Sequence, residues 1–471
     1  MRRKQKAGWA TLAVFLFQFT TGFAAPLSAE DQQLLATLLP VEVKDGVALV
    51  RVENTVTLVP TDRRRVLLVF GDSREPVLGQ TQTAGVDGML RRLYATGRAA
   101  GNHGDLYENR DRGHSELPKG TFPQMARVTY GEKLLAARVD YGAALGLIFD
   151  APLIGNSSTA VTAGATWRSL PRLMLTQPGG PARLFQNYEA GQIHVYPEHR
   201  DHDPELGDLF PANTPYYLVS QGSSGSDRVH LIALATILAA LRPDTKAFIR
   251  ENGLIGSTVQ MVYRRARVLT RDVYLSGVAH PSVFDAAGIK LGRLISLANS
   301  IAPDDVPPMV RLDVVEEGWT TDERLFDTPS AIARVWRSEE FRREMVVSAE
   351  ATRDPNGRKL KFTWVVLRGD PALTSVEPLD ELGTRARISV SWQQPNVTPG
   401  RDGILSSRVD IGVFASNGVF DSAPAFVSVS LPRHETRIYD VGQNGDRVLV
   451  RSDTVNKGGV YVDPLIFPET R

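Results

Sequence analysis

The chain has 471 residues, 42% hydrophobic and 23% charged, with a formal net charge of +1 and no cysteine. That length suits two or three domains, and the composition is that of an ordinary folded protein. Near-neutral charge gives no electrostatic case for nucleic acid, and the missing cysteines exclude disulfides, thiolate nucleophiles and cysteine metal sites.

Arg2, Arg3, Lys4 and Lys6 form a basic patch, an apolar run follows from Ala10 to Phe19, and small residues stand at Ala24, Ala25 and Ala29. This is the pattern of a secretory signal peptide over residues 1–25, with cleavage near Ala25 or Ala29. The run is short for a membrane span, and no later stretch is long and apolar enough to cross a bilayer. The sequence therefore predicts a secreted or periplasmic protein with no membrane span in its mature form.

Residues 30–302 read as an irregular α/β domain, so the fold class expected is α+β followed by an all-β sandwich. Asp31–Leu39 is helix-like, and Val41–Val59 alternates as strands do. Val66–Phe70 is a continuous apolar run that fits a buried strand, and it ends in Gly71-Asp72-Ser73. A helix is expected around Val86–Thr96. Residues 99–123 are rich in Gly, Asn, Asp, Arg and His and read as a long surface loop of the kind that often carries function. From Phe122 to Thr176 the texture is β, with a polar turn at Asn156-Ser157-Ser158-Thr159.

A strand at Gln192–Tyr196 leads into the densest polar cluster of the chain, Glu198-His199-Arg200-Asp201-His202-Asp203. Tyr216–Ser220 is a short apolar strand, Gln221–Ser226 a Gly/Ser loop, and a helix begins at Asp227. Val229, Leu231, Ile232, Leu234, Ile237, Leu238 and Leu241 leave that helix few polar faces, which predicts burial. Ser226 or Asp227 can cap it. Helices continue to Ser300. Residues 303–340 read as a linker or bridging segment, 341–432 as a β-sandwich, and 433–471 as two or three further strands.

The stretch Asp354-Pro355-Asn356-Gly357 to Trp364 resembles the strand B to C region of PKD and cadherin-like immunoglobulin-type modules. The resemblance implies a sandwich with Trp364 in its core, and says little about function. Gly71-Asp72-Ser73 after an apolar strand resembles the nucleophile block of GDSL/SGNH ester hydrolases, which implies Ser73 as nucleophile. Arg74 replaces that block's leucine, Gly101-Asn102-His103 only echoes its oxyanion block, and Gly277 stands where an aspartate should precede His280.

Three groups of residues suit chemistry. Glu198, His199 and Asp201 are candidate acid/base groups. His199, His202 and Asp203 are donors of the kind that hold zinc, manganese or calcium. Ser223, Ser224, Ser226 and Asp227 form a turn whose amides and hydroxyls suit a sugar, sulfate or phosphate. No lysine completes a phosphate-loop pattern, and no cofactor is identified. Tyr188, Tyr196, Phe210, Tyr216 and Tyr217 flank the cluster as sugar platforms or as core.

The function expected is hydrolysis of an extracellular glycan or glycoconjugate, with the sandwich as an accessory. The alternatives are a non-catalytic carbohydrate-binding or cell-envelope protein, and an SGNH-like esterase using Ser73.

Overall fold

The computed structural model describes residues 33, 36–58, 63–66, 68–70, 85–96, 98–99, 104–118, 122, 124–142, 146–161, 168–205 and 207–454. The basic and apolar N-terminal run and Gly71-Asp72-Ser73 lie outside these residues, as does 455–471.

An eight-stranded sheet organises the first body. Its strands in chain order are β1 (Val41–Lys44), β2 (Val47–Val50), β3 (Leu68–Phe70), β4 (Asp105–Asn109), β5 (Met125–Tyr130), β6 (Leu153–Asn156), β7 (Gln192–Pro197) and β8 (Leu218–Ser220). Across the sheet they run β8-β7-β6-β4-β5-β2-β1-β3. All neighbours from β8 to β2 are parallel, and only β1 and β2 pair antiparallel.

Helices cover the parallel part because a parallel sheet must bury both faces. They include α1 (Gly85–Ala95), α2 (Gly180–Glu189), α3 (Arg228–Ala240), α4 (Ile255–Ala266) and α5 (Leu291–Ser300). Helix α3 is buried as expected along Leu231, Leu234, Ile237 and Leu238, at 1% exposure or less, but Val229 in its first turn is exposed.

Two segments differ from the sequence reading. Residues 99–123 contain β4, a central strand, and are not one surface loop. β4 reads DLYEN, and its charges are buried only because each meets a partner: Asp105 pairs with Lys246 at 2.5 Å, and Glu108 with Arg110 at 2.8 Å and His194 at 3.1 Å. Gly155 makes the last contact possible. A Cβ there would stand 2.5 Å from the His194 ring, so only glycine lets His194 cross β6 to reach Glu108. The second segment, Leu170–Thr176, is a helix and not a strand, with Pro171 in its first turn.

The second body is a β-sandwich. One sheet holds β9 (Asp313–Glu317), β12 (Arg342–Ser348), β15 (Arg385–Ser391) and β14 (Thr374–Pro378) in that order. The other runs β10 (Arg324–Thr328), β11 (Ala331–Val335), β17 (Ala425–Ser430), β16 (Arg408–Ser416) and β13 (Lys361–Arg368). The segment 303–340 is therefore no free linker, since it supplies β9, β10 and β11. The aromatic core is Trp319, Trp336 and Trp392, packed edge to face. Trp364 is only half-buried and donates Nε1 to the Gly383 carbonyl at 2.7 Å. A hairpin of β18 (Glu435–Val441) and β19 (Arg447–Thr454) follows.

The two bodies share structure. Phe414, Phe426 and Leu367 of the sandwich belong to the same apolar cluster as α3 and α4. A small sheet takes His202–Asp203 and Gly207–Asp208 from the first body and Asn396–Val397 and Leu405–Ser406 from the second. Beside it lies a buried ion network, in which Asp208 meets Arg368 and Arg408, and both arginines meet Asp410. Among the described residues no helix is long and apolar enough to cross a membrane.

Candidate functional site

In open parallel sheets, ligands bind beyond the carboxyl ends of the strands, where two neighbouring strands send their connections in opposite directions. Here that point lies between β4 and β6. From β4 the chain moves to β5 on one side, and from β6 it moves to β7 on the other. Strand β4 delivers Asn109 and, two residues on, Asp111; strand β6 delivers Asn156, Ser157 and Ser158. The start of α3 brings Asp227 against them.

Asp227 is the hub. Its Oδ2 accepts from Asn156 Nδ2 at 2.9 Å, and its Oδ1 accepts from the Gly225 amide at 3.3 Å. It makes no capping bond to α3, so its carboxylate serves these strand-end side chains and not the helix. Asn156 in turn accepts from the Tyr107 hydroxyl at 3.0 Å, which fixes its amide orientation. The Leu117 amide donates to the same hydroxyl at 3.0 Å, and Asn109 Nδ2 donates to the His114 carbonyl at 2.7 Å. These bonds fold residues 110–118 back beside the crevice, with Arg112 and Ser115 held at φ 58° and 54°.

Asp111 is 6% exposed, and neither of its carboxylate oxygens has a well-directed hydrogen-bond partner among the described residues. Burial pushes it up to about 6; the Ser158 side chain opposes that rise and the Asp227 carboxylate adds to it. Burial also raises Asp227, against the opposing influence of Ser115 and Asn156.

His199 is near enough to Asp227 to feel its charge. Its Nε2 meets the Ser158 carbonyl at 2.6 Å, and a carbonyl can only accept, so Nε2 carries the proton and Nδ1 keeps a lone pair. Burial holds the ring below its ordinary value, opposed by the Ser158 bond and by Asp227. His199 and Arg200 have φ of 46° and 72°, a left-handed pair without glycine. Such strain persists where the surroundings impose it, often at functional sites.

The other expected site residues are occupied elsewhere. Glu198 accepts from the Gly222 amide at 2.9 Å and from the His202 amide at 3.3 Å, which pins β7 to the turn after β8. Asp201 accepts from the Ser169 amide at 3.0 Å and pairs with Arg172 at 3.2 Å, fully buried. His202 faces away, buried beside Asp208, Arg401, Arg368 and Arg408, and burial takes it down to about 4. Asp203 closes a local turn with the Glu205 amide at 2.8 Å. Among the described residues no group of three or more acidic or imidazole side chains is placed to hold a metal ion, and His199, His202 and Asp203 do not form one.

In the Gly/Ser turn, Ser223 and Ser224 are exposed, while Ser226 shares a hydrogen bond with Ser220 at 2.8 Å. Tyr188, Tyr196, Phe210, Tyr216 and Tyr217 are all buried, so they serve as core. His280 is packed between Tyr274 and Phe414 with Nε2 on the Tyr274 carbonyl. It has no route to act as the base of an esterase.

No family model matches the chain, and no curated protein matches it. Three solved structures show faint likeness. The N-terminal Ig1-2 module of the Drosophila receptor protein tyrosine phosphatase Dlar is 12% identical over 27% of this chain and 55% of its own, with a TM-score of 0.14. Tandem Ig repeats of Dlar give 12% identity over 29% of this chain and 56% of that one, again at 0.14. This chain thus spans little more than half of either Dlar structure. The third is described as a nucleoside hydrolase-related hypothetical protein from Saccharophagus degradans associated with carbohydrate metabolism. It is 10% identical over 70% of this chain and all of that one, at 0.22. None of the three scores carries an argument about this chain's fold or activity, and nothing supports the esterase resemblance.

Proposed function

We propose that the crevice between β4 and β6 hydrolyses a glycosidic bond, with Asp111 as general acid, His199 as general base and Asp227 between them. The observation that carries this reading is the pair of opposed environments around Asp227. A carboxyl is pushed up to about 6 on one side, and an imidazole is held below its ordinary value on the other. Groups whose surroundings drive their protonation apart in this way suit acid and base roles at the same pH.

In the step proposed, Asp111 gives its proton to the leaving glycosidic oxygen as the bond from the anomeric carbon breaks. A water oxygen bonds to that carbon, and its proton passes to His199 Nδ1. The Asp227 carboxylate stabilises the positive charge that builds on the sugar ring. Asn156 orients Asp227, and Ser158 orients His199. Glu198 and Asp201, the acids read from the sequence, hold the loop that presents His199. The sandwich is fused to this body through a shared core and a shared sheet, which favours a structural part over a tethered accessory.

The basic patch and apolar run of the first 25 residues support export to the periplasm or beyond. N-terminal sequencing of the mature protein tests that: a start near Pro26 or Glu30 agrees with it, and an intact Met1 on the exported protein opposes it. The activity is tested by screening chromogenic glycosides between pH 4 and 8, with Asp111→Asn and His199→Gln as controls. Turnover that both variants retain in full would remove this site.

A further inference from the structure

We infer that the ligand group seated between Asp111, Asp227 and His199 is a hydrogen-bond donor without negative charge, so that the site takes neutral sugars and rejects their phosphorylated, sulfated or uronic counterparts. The inference deepens the glycosidase reading and rests on it. Three observations carry it.

The first concerns the turn that would have held an anion. A Gly/Ser-rich turn before a helix presents backbone amides that suit phosphate or sulfate. Here three of those amides are taken by the protein's own groups. The Gly222 amide donates to the Glu198 carboxylate, the Gly225 amide to the Asp227 carboxylate, and the Ser226 amide to the Ser223 carbonyl. Two carboxylates of the protein already occupy the place an anion would take at Gly222 and Gly225.

The second is the character of what is left. Asp111 offers two buried carboxylate oxygens that no well-directed bond claims, with the Ser158 side chain beside them, and His199 offers the Nδ1 lone pair. Asp227 keeps acceptor capacity beyond its two bonds, since a carboxylate has about four lone-pair sites. With Asp111 ionised, these three groups are acceptors, and sugar hydroxyls are the donors that match them.

The third is the commitment of the neighbouring cations. Arg110, which adjoins Asp111 in sequence, pairs with Glu108 at 2.8 Å on the opposite face of β4. Arg112 lies over the Tyr141 ring at 4.7 Å and is 60% exposed, 4.0 Å from Asp140. Among the described residues no arginine or lysine is paired with Asp111 or Asp227. An anionic group in this crevice would meet two carboxylates and no counter-charge, and like charges forced together at an interface reject the wrong partner.

Isothermal titration of the full chain at pH 7 tests this with four probes: methyl glucoside, glucose 6-phosphate, glucose sulfate and glucuronate. A neutral sugar should bind at least about tenfold more tightly than any of the three anions, the discrimination expected of one uncompensated like-charge contact. In the Asp111→Asn, Asp227→Asn double variant that ratio should shrink, because the anions gain affinity. An anion that binds the wild type as tightly as the neutral sugar overturns the inference. So does a preference that survives the double variant unchanged, and so does a panel in which nothing binds. Hydrolysis separates the two proposals: a neutral sugar that binds with the predicted preference while no glycoside is cleaved keeps this inference and removes the enzymatic reading.

Discussion

Asn156 Nδ2 donates to Asp227 Oδ2 at 2.9 Å and so joins the end of a central strand to the start of a deeply buried helix. Both side chains are fully buried, and the same amide accepts from Tyr107 at 3.0 Å. Asn156→Ala would strip Asp227 of a side-chain donor and Tyr107 of its acceptor. A buried polar group left without its partner costs about 1–3 kcal/mol, so the variant should unfold at lower urea by that amount. In a double-mutant cycle with Asp227→Asn the two losses should fall short of additivity, because both remove one bond. Full additivity would mean that the pair is not coupled.

Asp111 should trade stability for function. Its carboxyl titrates near 6 in the folded chain, above the ordinary value of 3.8. A group raised in this way favours the folded state below its unfolded value, and that advantage is lost as pH climbs from about 4 through 6. Asp111→Asn carries no charge at any pH. Its melting temperature relative to wild type should therefore rise between pH 4.5 and pH 8, while its glycosidase turnover falls by about 10²- to 10⁴-fold, the range for loss of a general acid. A relative melting temperature that is flat with pH would show that Asp111 titrates normally.

Much of the architecture could be read from the residues, and the site only in part. The apolar helix after Ser220 and the sandwich strands announce themselves because their side chains are greasy at the right period. Strand β4 does not, since DLYEN buries Asp105 and Glu108 with charged partners that come from Lys246, Arg110 and His194. Two of those partners lie more than 80 residues away, so no local pattern marks the strand. Asp111 was missed for the same reason, because it stands just past a strand that reads as loop. His199 and Asp227, singled out from their setting in polar turns, both belong to the proposed site. Glu198 and Asp201 have the same setting, and only the three-dimensional bonds show that amides and Arg172 have already claimed them. Asp354-Pro355-Asn356-Gly357 signalled a turn of the sandwich, where Asp354 accepts from the Asn356 amide at 2.8 Å. The tryptophans that fill the core are others than Trp364.

His199 should set the acid limb of activity. As the base it must be neutral, and its surroundings keep it below 6.5. Activity should thus fall above about pH 6 as Asp111 loses its proton, and fall again at lower pH as His199 gains one. His199→Gln keeps a ring-sized polar group but no base. Residual activity should lose its dependence on the lower limb while the fall above pH 6 remains. A profile with the lower limb intact would assign that limb to another group.

The charge network between the two bodies should decide whether they unfold together. Asp208 is buried among Arg368, Arg408 and Ser282, and despite the burial these charges hold it well below the ordinary carboxylate range. Its stabilising contribution is present above the unfolded value of 3.8 and is lost only as pH falls below that. Removing one member of a buried ion network leaves the others without compensation, at a cost of about 3–5 kcal/mol. Asp208→Asn should therefore lower the melting temperature at pH 7. Because the apolar cluster spans both bodies through Phe414 and Phe426, a single transition should persist in calorimetry for the wild type. In Asp208→Asn the sandwich and the sheet body should begin to separate into two transitions. A variant that melts as a single transition at the wild-type temperature would show that the apolar contacts alone hold the bodies together.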